Sequence, residues 1–361
     1  MSPTQLRWGI VGTGWIASMF VTDLLAPRED GPAEHIITVV GSSSNVEKGQ
    51  QFVNKVWKDS SAPRPKVFAS YQEVYDSPDV DVVYIATPHS LHDQNCLDAI
   101  KAGKHVLNEK PFTINSKQAE QVIAAAKAKG VYLMEGMWTR FFPLVIELQK
   151  KIQAGAIGRV RRCIVEIGLT LDFDSLPKES RLKDPALGAG ALLDIGIYPL
   201  TYASVILGNG ALGTNHPKVA VTPSLTIEDG VDGSGVVILQ YNKGTAEEAT
   251  AITMSSLHNP NPPDFGRIEG TKGTITVYTD KGPSCPSGFR IKDSEGKVED
   301  YPFAQPTGTI GFIYEADAVA LDIAAGRTEN AIMPLDETMR MMRLMDGVRK
   351  ECGLVYPQDK E

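Results

Sequence analysis

Short apolar runs recur along the first third of the chain, separated by longer stretches in which apolar residues return every three to four positions. The runs 6–11, 35–41, 66–68, 80–86, 105–109 and 131–134 read as strands. Trp15–Leu25, Asn45–Val56, Leu91–Ala102 and Lys117–Lys129 read as helices. Strand and helix alternating in this way predict βαβ units on one parallel sheet. The last helix is the best marked, with Asn115 or Ser116 as cap, an alanine-rich body and Gly130 as its stop.

Beyond Glu135 the rhythm changes. Val160–Gly168, Gly235–Gln240, Ala249–Met254, Arg267–Glu269 and Thr274–Thr279 follow one another as strands with turns between them, the pattern of an antiparallel sheet. The polar tract Lys281–Pro306 reads as strands and loops at the edge of that sheet, and Phe312–Ala325 and Leu335–Glu351 as helices covering it. The expected architecture is α/β: a parallel-sheet domain over 1–135, then an α+β domain over 136–361 with a large, mostly antiparallel open sheet. An open antiparallel sheet alternates apolar and polar residues, yet Val236, Val237, Ile238 and Leu239 are all apolar. Either both faces are covered within the chain, or the open face pairs with a second copy in a homodimer.

The first strand breaks into WGIVGTGWIA, a GxGxxA turn at the point where a helix begins. Gly12 permits the tight turn, Gly14 lets the backbone approach a pyrophosphate, and Ala17 keeps the helix close to the sheet. The anion would rest on the helix N-terminus, beside Trp15 and Ile16. The first domain is therefore expected to be a Rossmann domain.

The 361 residues suit two domains with full cores. No segment reads as the ~18 apolar residues of a membrane span. A net charge of −8 without a basic stripe argues against a nucleic-acid partner. Cys96, Cys163, Cys285 and Cys352 form no CxxC pair, and MSPTQLRWGI has no charged-then-apolar leader, so the expected compartment is the cytoplasm. No metal-ligand spacing such as HExxH is present, and Asp264-Phe265-Gly266 matches a kinase signature only by letter.

An NAD-preferring fold places an acidic residue after the second strand, where this chain has Gly41-Ser42-Ser43-Ser44-Asn45. Ser43, Ser44, Asn45 and Lys48 suit a 2′-phosphate, which a carboxylate would repel; the cofactor is expected to be NADP. Helix capping alone would also select Ser44 or Asn45.

Three further segments are ATPH (Ala86–His89), HVLNEKP (His105–Pro111) and GAGALLDIGIYPL (Gly188–Leu200). With these the chain resembles, over essentially its whole length, the family of glucose–fructose oxidoreductase and inositol dehydrogenase. LMEGMWTRFFP, the tyrosine of DIGIY and PQDK near the C-terminus are similar to its dihydrodiol dehydrogenase and NADP-dependent D-xylose dehydrogenase branch. The resemblance implies a catalytic Lys110, Asp194 and Tyr198, with Thr87, His89, His92, Glu109 and Lys110 also near the cofactor.

These types fit the chemistry. Oxidising a hydroxyl requires a base for its proton, and a phenol of ordinary pKa near 10 needs a nearby cation to act at neutral pH. Lys110 would supply that cation, and Asp194, on the same face as Tyr198 if this segment is helical, would orient the lysine or a substrate hydroxyl. Trp138 and Phe142 would wall a ring-shaped substrate, with Arg140 or His89 reaching its hydroxyls; packing in the core is the alternative for both aromatics. The implied reaction is oxidation of a cyclic polyol, either D-xylose or a related aldose at C1 or a trans-dihydrodiol, by hydride transfer to NADP without a metal. Two other readings are reduction of a sugar or natural-product carbonyl and a non-catalytic dinucleotide-sensing regulator, the latter disfavoured by the intact Lys110 and Tyr198.

Overall fold

The computed structural model of the chain describes residues 4–28, 31–208 and 217–360, so the first three residues of the N-terminal stretch and the final residue of the second domain lie outside it. Strands β1 (Thr4–Val11), β2 (Ala33–Gly41), β3 (Lys66–Phe68), β4 (Val82–Ile85), β5 (His105–Glu109) and β6 (Leu133–Gly136) alternate with α1 (Trp15–Leu25), α2 (Val46–Val56), α3 (Tyr71–Asp76), α4 (His92–Lys101) and α5 (Ser116–Lys129). All the pairings are parallel, in the order β3-β2-β1-β4-β5-β6. The order reverses between β1 and β4, which opens a crevice at the carboxyl ends of those strands. The expected helix stop is present: Gly130 is left-handed at φ 71°, and Asn115 accepts from the Gln118 amide.

Next come α6 (Pro143–Gln153), β7 (Val160–Gly168), α7 (Ile197–Leu207), β8 (Val219–Glu228), β9 (Val231–Tyr241), β10 (Ala249–Ser256), β11 (Gly266–Gly270), β12 (Gly273–Tyr278), β13 (Gly288–Asp293) and β14 (Val298–Pro302). These strands form an eight-stranded sheet, β14-β13-β12-β11-β7-β10-β9-β8, in which β7 and β10 alone run parallel. The polar tract supplies the edge pair β13 and β14. The helices α8 (Phe312–Ala324) and α9 (Leu335–Cys352) close the chain.

The division of the chain differs from the expected cut at Glu135. One compact unit comprises Met1–Trp138 with Gln305–Met339, and the other Thr139–Ala304 with Arg340–Glu361. Helix α8, expected over the antiparallel sheet, belongs to the first unit, and the cause is a long-range cap. The buried carboxylate of Asp23 on α1 accepts from the amides of Ile310 (3.0 Å), Gly311 (2.8 Å) and Phe312 (2.8 Å), the groups that a helix start leaves without partners. Asp317 on α8 then receives Arg28 at 2.7 and 2.8 Å and His35 at 2.9 Å. Phe20 stacks on Tyr84 at 3.8 Å and meets Phe312 edge-on at 6.0 Å, so α8 seals the apolar layer over β1 and β4.

In the second unit the apolar run of β9 splits by pleat. Val237 and Leu239 are buried, packed on the face that α7 covers, while Val236 and Ile238 face outward with Ile252 and Met254 of β10 in register beside them. Over this stretch neither face is polar, which is why residues 236–239 do not alternate. One helical run, Pro185–Leu207, is long and apolar enough to cross a membrane, contrary to the sequence reading; 94% of its apolar window is buried inside the protein, so it is the core helix of this unit.

Asp23→Ala leaves three amides at the start of α8 without an acceptor. We expect a loss of about 2–4 kcal/mol of stability by urea titration, and a smaller loss for Asp23→Asn, which keeps one acceptor oxygen. An Asp23→Ala protein as stable as the parent would show that α8 is held by packing alone.

Candidate active site

The turn after β1 is fixed by backbone crowding. Gly12 sits at φ 101°, and a Cβ there would lie 2.7 Å from the Ala86 carbonyl oxygen. Its N–H donates to the Gly41 carbonyl at 3.2 Å, so the ends of β1, β2 and β4 meet around a residue with room for no side chain. Gly14 is the opposite case: it is the N-cap of α1, offers no side-chain cap, and has no atom within 4 Å of where a Cβ would be. No side chain caps the first amides of α1, with Ala17 buried and Trp15 69% exposed beside them. A helix N-terminus uncovered in this way fits a dinucleotide pyrophosphate.

The end of β2 carries no carboxylate. Ser43, Ser44, Asn45 and Lys48 are all exposed there. The capping alternative holds for Asn45, whose Oδ1 accepts from the Lys48 amide at 2.8 Å, and not for Ser44. Ser43 hydrogen-bonds Tyr71, whose phenol is pushed up chiefly by burial. Ser42, unremarked by sequence reasoning, has a buried hydroxyl without a partner at the same strand end.

A buried polar brace carries the loops after β4 and β5. Tyr75 donates to Asn95 Oδ1 at 2.9 Å, and Asn95 Nδ2 reaches Thr87 Oγ1 at 3.2 Å. The ring of His92 spans the Thr87 carbonyl (Nε2, 2.9 Å) and the Pro111 carbonyl (Nδ1, 2.8 Å). His92 was expected to face the cofactor; it is instead wholly buried between the two loops, because backbone carbonyls hold both its ring nitrogens. Burial, with the Lys110 charge adding to it, pushes its pKa down to about 4, against the pull of the Pro111 and Thr87 carbonyls. His89 is buried edge-on to it, 5.7 Å between ring centroids.

Lys110 is half-buried at the carboxyl end of β5, and its peptide bond to Pro111 is cis. Its amide donates to Glu109 Oε2 at 3.1 Å, and the other carboxylate oxygen of Glu109 accepts from Tyr84 at 2.5 Å. The following loop is pinned from below: the Phe112 amide donates to Glu135 Oε1 at 3.1 Å, and Asn108 Nδ2 donates to the Phe112 carbonyl at 2.7 Å. Polar residues within or next to apolar strands, Asn108 and Glu135, are the sequence feature from which this support could have been read.

In the second unit Asp194 and Tyr198 lie on the buried helical run, which opens with a π-helical turn, Leu192–Gly196, before α7. Single π turns recur at functional sites. Arg181 Nη1 lies 3.4 Å from Asp194 Oδ1. Arg140 is buried. Phe142 has no exposed surface, so its ring is core and not the wall expected for a substrate. Trp138, on the first unit, is nearly buried and stacks on Phe312 at 4.1 Å. Among the described residues no group of His, Cys, Asp and Glu is arranged to hold a metal ion.

Two family models match the chain. That of the oxidoreductase family with an NAD-binding Rossmann fold covers residues 6–137, and the GFO/IDH/MocA C-terminal domain covers 145–276. The D-xylose 1-dehydrogenase (NADP(+)) of Hypocrea jecorina is 33% identical over 377 residues, covering 99% of this chain and 94% of its own. The trans-1,2-dihydrobenzene-1,2-diol dehydrogenase of Bos taurus is 32% identical over 371 residues, covering 98% and 99%. The crystal structure of an aldose-aldose oxidoreductase from Caulobacter crescentus, complexed with glycerol, superposes with a TM-score of 0.79 at 26% identity, over 97% of this chain and 98% of its own.

His92→Ala removes the ring that lies between the Thr87 and Pro111 carbonyls, to one of which the neutral imidazole donates, and is expected to cost about 1–3 kcal/mol at pH 7. A histidine whose folded pKa is depressed contributes stability above its ordinary value, and that contribution fades as pH falls from about 6.5 towards about 4. The gap between parent and variant should therefore narrow by about 2 kcal/mol between pH 7 and pH 5 in urea titrations. An equal gap at both values would show that the buried ring accepts its proton freely.

Proposed function

This chain belongs to the Gfo/Idh/MocA family of oxidoreductases, and we propose that it oxidises a hydroxyl of a cyclic polyol with NADP as hydride acceptor. The substrate class is an aldose such as D-xylose, at its C1 hydroxyl, or a trans-dihydrodiol; the names of the full-length relatives at about one-third identity support both. The observation that carries the reading is where the EKP and DIGIY segments fall. Lys110 stands at the carboxyl end of a parallel strand, and Asp194 and Tyr198 start a buried helix.

Bound NADP would supply the hydride acceptor for this oxidation. The Gly12–Ala17 turn would seat its pyrophosphate, and Ser43, Ser44 and Lys48 its 2′-phosphate, where no carboxylate repels it. Tyr198 takes the hydroxyl proton of the substrate. The Lys110 ammonium favours the phenolate and the alkoxide that develops, and Asp194 orients a substrate hydroxyl. The outward apolar strip formed by Val236, Ile238, Ile252 and Met254 supports a homodimer through that face of the antiparallel sheet.

A panel of aldoses and dihydrodiols followed by NADPH absorbance tests the activity. Lys110→Ala and Tyr198→Phe should each lower kcat about a hundredfold or more with NADP affinity nearly unchanged, and the double variant should be little worse than either single one. Normal turnover by Tyr198→Phe would remove it from the mechanism.

For the oligomer, light scattering should give twice 39.1 kDa, and Ile252→Lys should reduce it to one chain. A parent protein that scatters as a single chain at micromolar concentration would rule out the dimer.

A further inference from the structure

Asp232 on β9 is a wholly buried carboxylate on the face of the sheet that the catalytic helix covers. It reaches that face by a bulge. Val237, Leu239 and Tyr241 point inward, so strict alternation would turn Asp232 outward with Val236 and Ile238. The pairing of β8 with β9 slips between Thr226 and Ile227, leaving Gly233 as the extra residue and re-aiming Asp232 inward.

Once inside, the carboxylate grips the start of the helical run. Oδ2 accepts from the Leu192 amide at 2.6 Å, while Oδ1 is buried without a partner. Gly190, at φ 117°, lies over that oxygen so closely that a Cβ would come within 2.3 Å of it. From the other side the C-terminal residues hold the same turn. The Tyr356 hydroxyl donates to the Ala189 carbonyl, and Gln358 Nε2 donates to the Ala186 carbonyl at 2.8 Å. This end is tied down by Arg349, which reaches Asp346 and Asp359 at 2.6 Å each. The turn from Ala186 to Leu192 leads directly into Asp194 and Tyr198.

We propose that Asp232 is a positioning residue for the reaction: it touches no substrate, but fixes the turn that sets the placement of Asp194 and Tyr198. The proposal rests on the catalytic reading of those two residues. The charged and titratable groups facing Asp232 are Arg349, Cys352 and Tyr356, with the Leu192 amide. Burial pushes its carboxyl up to about 7, with the Leu192 amide and Arg349 pulling the other way. Its charge therefore changes in the range where the enzyme would work, and the ionised form makes the stronger bond to the amide.

The test compares Asp232→Ala, which removes the acceptor, with Asp232→Asn, which keeps an acceptor oxygen without the charge. Asp232→Ala should lower kcat about tenfold with NADP affinity unchanged and speed amide exchange across residues 190–198. Asp232→Asn should restore both to within about threefold and flatten the rise in kcat through about pH 7 that is expected of the parent. Should Asp232→Ala fail to fold, Tyr356→Phe serves, since it frees the Ala189 carbonyl on the other side of the turn; about threefold lower kcat with faster exchange is expected. Parent-like exchange in the folded variant overturns the proposal, and so does faster exchange with parent-like kcat. Tyr198→Phe assayed in parallel separates the two claims. If it turns over normally, the catalytic reading fails and amide exchange alone decides whether Asp232 holds the turn.

Discussion

The structure depends on the need of buried backbone N–H groups for acceptors. A helix start buried away from water leaves its first amides without partners, each costing a kilocalorie or more if unmet. Other starts solve this locally, with Asn45, Ser70 and Asn115 capping α2, α3 and α5. The buried starts import a carboxylate from elsewhere in the chain, Asp23 for α8 and Asp232 for the turn before α7. Helix α1 has glycine at its N-cap and no side chain over its amides, which suits a start that a phosphate group is to complete.

Local pattern made most of the elements legible. Strand β5, strand β7 and helix α1 have the limits read from the apolar runs, because each is bounded by turn residues and has one clear period. Four elements were missed, each for a physical reason. Helix α3 is too short to show a period, and α6 begins with Pro143 directly after an aromatic run. Helix α7 is buried on every side, so it has no polar face for periodicity to detect. Strand β8 contains Pro223, which argues against a strand until β8 is seen at the sheet edge, where a missing donor is tolerated.

The site was legible to a different depth in each part. Glycines and the EKP and DIGIY segments announce themselves because their chemistry restricts the residue type. The residues beneath them do not. His92 stands two positions after the helix-starting His89-Ser90, and nothing local tells a cofactor-facing imidazole from one clamped between two carbonyls; that follows from the Lys110–Pro111 loop, far off in sequence. The fate of α8 was equally hidden, since Asp23 and Gly311 are linked only through the fold.

That link makes the first unit discontinuous: the chain leaves it after Trp138 and returns at Gln305. During synthesis the parallel sheet would leave the ribosome with Asp23, Phe20 and Tyr84 uncovered, and would wait while the whole antiparallel sheet was made before α8 arrived to shield them. The order of translation thus leaves an apolar surface exposed for the time needed to add more than a hundred residues, a period in which chaperone binding and aggregation compete. For the same reason a fragment ending near Glu135 is a poor unit for isolating the dinucleotide-binding half: it contains every strand of the parallel sheet but lacks the helix that covers it.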